Sequence, residues 1–289
     1  PTSCEFTSEL SDFLKHDVSR WFPDLLPQVT LTVVEAGPSI LGSFDKDLVK
    51  HYSGRLQARG VRVRTATAVR SIEQFVSVCG NPSTQAVLDD GSRLPFGTMV
   101  WSAGLAPVKF VNDAILPKHE RSGRLIVDEY LRVLGLKGRV FAFGDCARNE
   151  ASPLLPLASV AEQQAQYLSD CFNEHYAAFD LTTGETLPDP GPVAAPVALP
   201  FPRFMYARSA EFKYRSVGAM VSMGLYGGVV DMSDADVVPR STRPAIAGFF
   251  AMLAWRGGYL SKQLSYQNMI LVPMFWFKSM VFGRDISRF

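Results

Sequence analysis

Along the chain the apolar positions keep two rhythms, one of three to four residues and one of two, separated by stretches rich in Gly, Pro, Asp and Ser. Over residues 1–20 the first rhythm places Phe6, Leu10, Phe13, Leu14 and Val18 on one face of a helix, with Thr2 or Ser3 positioned to cap it. A β-rich run follows from Gln28 to Val34 and ends at Glu35-Ala36-Gly37-Pro38. Residues 45–59 read as a helix closed by Gly60, and Val61 to Thr65 alternates as a half-exposed strand. Asp90-Gly91 marks a hairpin, and Thr98 to Trp101 is apolar enough to be a buried strand with Trp101 in the core, ending in Ser102-Ala103-Gly104. Leu125 to Leu134 is strand-like. A further apolar run, Val140 to Phe143, stops at Gly144-Asp145, and Val160, Ala161, Gln164 and Leu168 restore the helical rhythm.

The end of the chain differs in texture. Phe249, Leu253, Gly257, Leu260 and Leu264 fall on one helical face, and a second apolar segment runs from Met269 to Phe282, interrupted by Pro273. Aromatic residues flanked by Arg256, Lys262, Lys278 and Arg284 suit a membrane surface better than a membrane interior. No stretch reaches the roughly 18 uncharged apolar residues of a spanning helix. From Ala178 to Pro202 the composition shifts to Pro, Thr, Gly, Asp and Ala, as in a linker.

Bulk numbers narrow the classes. A formal net charge of +1 removes the electrostatic case for a nucleic-acid partner. The four cysteines, Cys4, Cys79, Cys146 and Cys171, form neither a CxxC pair nor a Cys/His cluster, so no metal site or redox dithiol is indicated. A carboxylate closing a buried strand is costly unless something uses it. That makes Glu35 and Asp145 candidates for binding sugar hydroxyls, against the simpler readings of a solvated turn acid and a turn cap.

Gly-Asp-Cys-Ala followed by a helix opening Ala-x-x-Ala-x-Gln-Gln resembles the second flavin-binding element of the type II (alternative) NADH:quinone dehydrogenases, and the closing FGRDISRF is similar to their mitochondrial members. Pro-Thr-Ser-Cys-Glu-Phe at the start is similar to the end of their Gly-rich NADH turn, so the chain is expected to begin inside its own dinucleotide fingerprint, with Ser3 at the third-glycine position. The resemblance implies an α/β, two-dinucleotide-binding (Rossmann-like) flavoprotein fold, incomplete at the N-terminus, with a C-terminal membrane-surface α+β domain. Expected domains are 1–104 for NADH, 105–178 for the returning half of the FAD domain, 179–202 as linker and 203–289 for membrane association.

It further implies FAD and NADH as cofactors and ubiquinone as the acceptor, at the mitochondrial inner membrane and without proton pumping. Glu5 would sit at the hydride-transfer site beside the nicotinamide, Glu35 on the adenosine ribose, Gly104 near the nicotinamide, and Gly144 with Asp145 on the flavin. Ser159 and Gln163 stand where the family has two glutamines near the quinone. A homodimer or association with other respiratory-chain subunits is open at this stage. Two rival readings are a catalytically degenerate accessory subunit of a respiratory assembly and a chain whose missing flavin unit lies on another polypeptide or outside the sequence given. A disulfide reductase or a sulfide:quinone oxidoreductase is a weaker rival.

Overall fold

The computed structural model describes residues 1–136, 139–172, 211–225, 227–236, 239, 245–263 and 265–284. The linker expected over 179–202 and the last five residues of FGRDISRF lie outside the described residues. Residues 1–102 with 216–289 form one unit, and residues 103–215 form another.

In the first unit, α1 (Thr2–Phe13) runs through a π-helical turn, Leu14–Val18, into α2 (Ser19–Trp21) and a 3-10 turn, Pro23–Gln28. The face that α1 buries is not the expected apolar stripe. Cys4, Thr7, Ser8, Ser11 and Asp12 are buried and Phe6 is exposed, because the helix packs against polar backbone groups. The cap differs as well: Pro1 takes that position without a side-chain bond, and the Ser3 hydroxyl instead meets the Ser102 hydroxyl.

Of the expected 28–34 strand only β1 (Thr32–Val34) forms, since the preceding residues coil with Pro27 inside the turn. Helix α3 (Lys46–Ala58) is capped as its sequence demands, with Asp45 Oδ1 accepting the N–H groups of Asp47 at 2.9 Å and Leu48 at 3.4 Å. Strand β2 (Arg62–Arg64) lies parallel to β1, pairing Thr32 with Arg62 and Val34 with Arg64. Strands β3 (Val69–Val76), β4 (Pro82–Leu88) and β5 (Arg93–Phe96) form an antiparallel meander turned at Asp90-Gly91. No strand forms at 98–101, and Trp101 is 62% exposed rather than buried in the core. An apolar run becomes a strand only beside a backbone that completes its hydrogen bonds, and the described residues place none there.

The second unit is built from α4 (Lys109–Asp113), the parallel pair β6 (Leu125–Val127) and β7 (Ala147–Asn149), and α5 (Ala158–Cys171). The expected strand 125–134 stops after Val127 because Asp128 Oδ1 accepts the N–H groups of Tyr130 and Arg132, both at 2.9 Å, and bends the chain. The run 140–143 is extended but bridges only at Phe141, antiparallel to Arg132. It turns at once into a 3-10 turn, Gly144–Cys146, so Asp145 lies in that turn and not on the last residue of a buried strand.

The chain then returns to the first unit. Strands β8 (Ala219–Ser222), β9 (Gly228–Asp231) and β10 (Ala245–Gly248) form an antiparallel sheet with β9 central and fully buried. Val221, Met223 and Val229 share one core with Cys4, Val33, Leu48 and Tyr52. Helix α6 (Phe249–Ser261) follows, and a Cβ on Gly228 would stand 2.8 Å from Met252 N, so its backbone and that of β9 touch. Helix α7 (Tyr266–Phe282) is continuous through Pro273, which removes one internal hydrogen bond without breaking the helix. No helix among the described residues is long and apolar enough to cross a membrane. The expected stripe of α6 faces outward: Phe249 and Leu253 are exposed while Ala251 and Met252 are buried.

Candidate functional site

Glu35 leaves the carboxyl end of β1, with its backbone N–H donating to the Arg64 carbonyl at 2.8 Å as though the ladder ran one residue further. Its Oε1 accepts the Gly37 N–H at 2.7 Å, folding the half-buried carboxylate over the turn at the edge of a parallel pair. On that turn's far side a cleft of about 790 Å³ opens between the 38–44 loop and α3, lined by Ser39, Ile40, Lys46, Lys50 and Thr65.

Glu5 lies in the first turn of α1, half-buried, and its Oε1 accepts the Ser222 N–H at 2.8 Å. Between the two acids sits Cys4, 4% exposed, whose thiol is pushed up chiefly by burial, with the Glu35 and Glu5 carboxylates adding to the shift. The first unit therefore gathers Ser3, Glu5 and Glu35 around the start of α1.

The second unit gathers another set. Gly144 holds φ at +70° and is buried, and a Cβ there would approach Ala161 Cβ on α5 to 3.3 Å, so the turn needs glycine on both counts. Its N–H donates to Gln164 Oε1 at 2.6 Å, which makes Gln164 a buried anchor of the turn. Arg124 braces the same turn by donating to the carbonyls of Asp145 at 3.0 Å, Leu154 at 3.2 Å and Gly144 at 3.5 Å. Burial, then the like charge of Arg148, lowers the Arg124 pKa, and Asp145 opposes the shift. Arg148 Nε is buried without a hydrogen-bond partner among the described residues. The Asp145 side chain itself is exposed.

Gln163 and Ser159 are both on α5, but each is engaged by the segment before β8. The Gln163 carboxamide donates to the Arg215 carbonyl at 2.8 Å and accepts the Arg215 N–H at 3.0 Å, in the manner of a paired strand. Ser159 Oγ lies 3.0 Å from the Tyr214 hydroxyl. Gly104, at φ +97° with open space where a Cβ would point, is in exposed coil. Gln164, the last residue of the Ala-x-x-Ala-x-Gln-Gln motif, carries the geometry of these turns together with Arg124, Tyr52 and Ser222, none of which stands in a recognisable motif. No group of His, Cys, Asp and Glu suited to a metal ion occurs among the described residues.

The donor chemistry fits sugar-bearing cofactors. Ionised carboxylates only accept, and ribose and ribityl hydroxyls donate. Each acid stands in a turn whose backbone is fixed by hydrogen bonds, and neither is consumed by a salt bridge among the described residues.

Residues 1–165 match the pyridine nucleotide-disulphide oxidoreductase family, and residues 217–285 match the NDH2 C-terminal domain. The internal alternative NAD(P)H-ubiquinone oxidoreductase A1, mitochondrial, of Solanum tuberosum is 33% identical over 292 residues, covering 100% of this chain and 52% of the relative. A probable NADH dehydrogenase of Dictyostelium discoideum is 33% identical, covering 100% and 54%. The external NADH-ubiquinone oxidoreductase 2 of Saccharomyces cerevisiae is 27% identical, covering 99% and 51%. Among solved structures, NDH2 from Plasmodium falciparum in complex with NADH superposes with a TM-score of 0.74 at 17% identity, covering 99% of this chain and 65% of that one. This likeness supports the fold, a two-dinucleotide-binding flavoprotein architecture. The chain spans about half the length of the relatives it matches. It belongs to the pyridine nucleotide-disulphide oxidoreductase family.

Proposed function

We propose that this chain contributes the NADH-binding elements and the returning flavin-binding elements of an oxidoreductase that passes electrons from NADH to ubiquinone, without pumping protons, at the mitochondrial inner membrane. The observation that carries the reading is the placement of Glu35. A carboxylate held by a glycine N–H at the carboxyl edge of a parallel strand pair is where a dinucleotide fold accepts hydrogen bonds from the adenosine ribose. In this reading Ser3 belongs to the pyrophosphate turn, and Glu5 borders the nicotinamide. Gly144 and Asp145 take the ribityl hydroxyls, and the helix behind them, α5, adds the partial positive charge of its N-terminus. Bound FAD supplies the acceptor of a hydride equivalent, and these residues supply orientation and electrostatics.

Gln163 and Ser159 approach the quinone only by sharing atoms with Arg215 and Tyr214, so we assign them a supporting part there. The outward apolar faces of α6 and α7 support a peripheral hold on the membrane surface through 249–282. The accessory-subunit reading gains no observation of its own, whereas the acids expected of an active chain stand in ordered turns.

The test is cofactor choice. A carboxylate at Glu35 repels a 2′-phosphate, so Glu35→Arg weakens NADH binding about tenfold or more while NADPH binding holds or tightens. Equal losses for the two nucleotides, measured by isothermal titration, remove Glu35 from the ribose site.

A further inference from the structure

The C-terminal sheet touches Glu5 in a way that packing alone does not require. Along α1, Glu5, Ser8 and Asp12 recur at helical spacing, Glu5 reaching the end of β8, Asp12 the turn after it, and Ser8 the Tyr52 hydroxyl on α3. Glu5 Oε1 accepts the Ser222 N–H at 2.8 Å, and Asp12 Oδ2 accepts the Leu225 N–H at 2.7 Å. Tyr52 on α3, completely buried, donates its hydroxyl to the Ser222 carbonyl at 2.9 Å and receives the Ser8 hydroxyl at 2.9 Å. One residue, Ser222, is thus held at both of its backbone polar groups, its carbonyl by Tyr52 and its N–H by Glu5.

The grip is made by neutral donors. No Lys, Arg or His pairs with Glu5 among the described residues, although Asp12, two turns along, is paired with Arg59 at 3.4 Å. The carboxylate is therefore aimed without being neutralised. A fixed, uncompensated negative charge favours a cation over a neutral molecule of the same shape. The nicotinamide ring is such a pair: neutral when reduced, a pyridinium cation when oxidised.

We infer that Tyr52 and Ser222 are positioning residues that hold Glu5 as an unneutralised anion, and that this anion makes the site discriminate the oxidised, cationic nicotinamide from the reduced one. The inference rests on the reading above that Glu5 borders the nicotinamide. It extends that reading by making the C-terminal strand part of the nucleotide site and by giving Glu5 a preference between two redox states.

The experiment measures binding of NAD⁺, NADH and ADP-ribose, which lacks the nicotinamide, to the full 289-residue chain by isothermal titration. Glu5→Gln lowers the NAD⁺ to NADH affinity ratio about three- to tenfold and leaves ADP-ribose unchanged. Tyr52→Phe shifts the ratio in the same direction, again with ADP-ribose unchanged. Ser8→Ala, which keeps the Tyr52 to Ser222 bond, leaves the ratio at the wild-type value. If Tyr52→Phe does not fold, Glu5→Asp decides the question, because it keeps the charge but retracts it from the Ser222 N–H and lowers the ratio in the same sense.

A Glu5→Gln variant with an unaltered ratio overturns the placement of Glu5 at the nicotinamide, and this inference with it. A shift with Glu5→Gln but none with Tyr52→Phe or Glu5→Asp overturns the positioning role alone. Equal weakening of all three ligands by Tyr52→Phe, with a fall in melting temperature, marks a purely structural tyrosine and also overturns it.

Discussion

Gly224 illustrates how tightly single residues are specified here. It holds φ at +89°, and a Cβ would stand 2.0 Å from Asp12 Oδ2, the oxygen that accepts the Leu225 N–H. Gly224→Ala therefore strains the backbone and displaces a buried carboxylate from its amide and from Arg59. The expected cost is about 2–4 kcal/mol, read as a lower urea midpoint with an unchanged slope. Asp231 carries a pH dependence. Burial alone would raise its pKa, but hydrogen bonds from the Ser233 hydroxyl, the Ser233 N–H and the Asp45 N–H outweigh burial and hold it below the usual carboxylate range. A carboxyl depressed in the folded state contributes stability above its unfolded pKa, about 3.9, and loses it as pH falls through the folded value. Melting temperatures of the native chain should drop over that acid window, and Asp231→Asn should begin lower at neutral pH and change less across it.

At the scale of elements, α5 holds its neighbourhood through two adjacent glutamines, one anchoring Gly144 and one pairing with Arg215. Gln163→Leu keeps the bulk but leaves the Arg215 N–H and carbonyl unpaired. It should destabilise the second unit by about 2–4 kcal/mol, whereas a side chain reserved for quinone would cost little stability. Chemical denaturation followed by hydrogen exchange near residue 215 separates these outcomes. Elements whose signals are local were legible in the sequence: α3 with its Asp45 cap, the Asp90-Gly91 hairpin, and the turn that brings Glu35 to the edge of β1. What was not legible depends on distant partners. The buried face of α1 is polar because it meets residues 222–225, and the apolar run at 98–101 has no strand beside it. Of the candidate site, the sequence pattern singles out both acids as closing buried strands; Glu35 does leave the carboxyl end of β1, whereas Asp145 lies in a 3-10 turn. Arg124, and the anchoring part of Gln164 within its motif, could not be found, because they act on backbone groups that no pattern of side chains announces.

At the scale of the whole molecule, the outward faces of α6 and α7 are unusually apolar, with Phe250 77% and Phe282 74% exposed. Scattered exposed apolar residues mean little, but a contiguous helical surface of them marks a contact. Replacing Phe250 and Phe277 together with Ser should reduce sedimentation with anionic phospholipid vesicles about tenfold or more while leaving the melting temperature nearly unchanged. Vesicle binding equal to that of the unaltered chain would detach these helices from any membrane role.

The closing of the first unit by its own far end also sets the order in which the protein can acquire its shape. Glu5 meets Ser222 across 217 positions of sequence, and Asp17 meets Arg284 across 267. While the nascent polypeptide emerges from the ribosome, Glu5 and Asp12 wait for backbone partners that are synthesised only after the entire inserted second unit. Such long loops close slowly, so assembly of this half is post-translational, and a chain cut short before β8 leaves a helix with no surface to dock on.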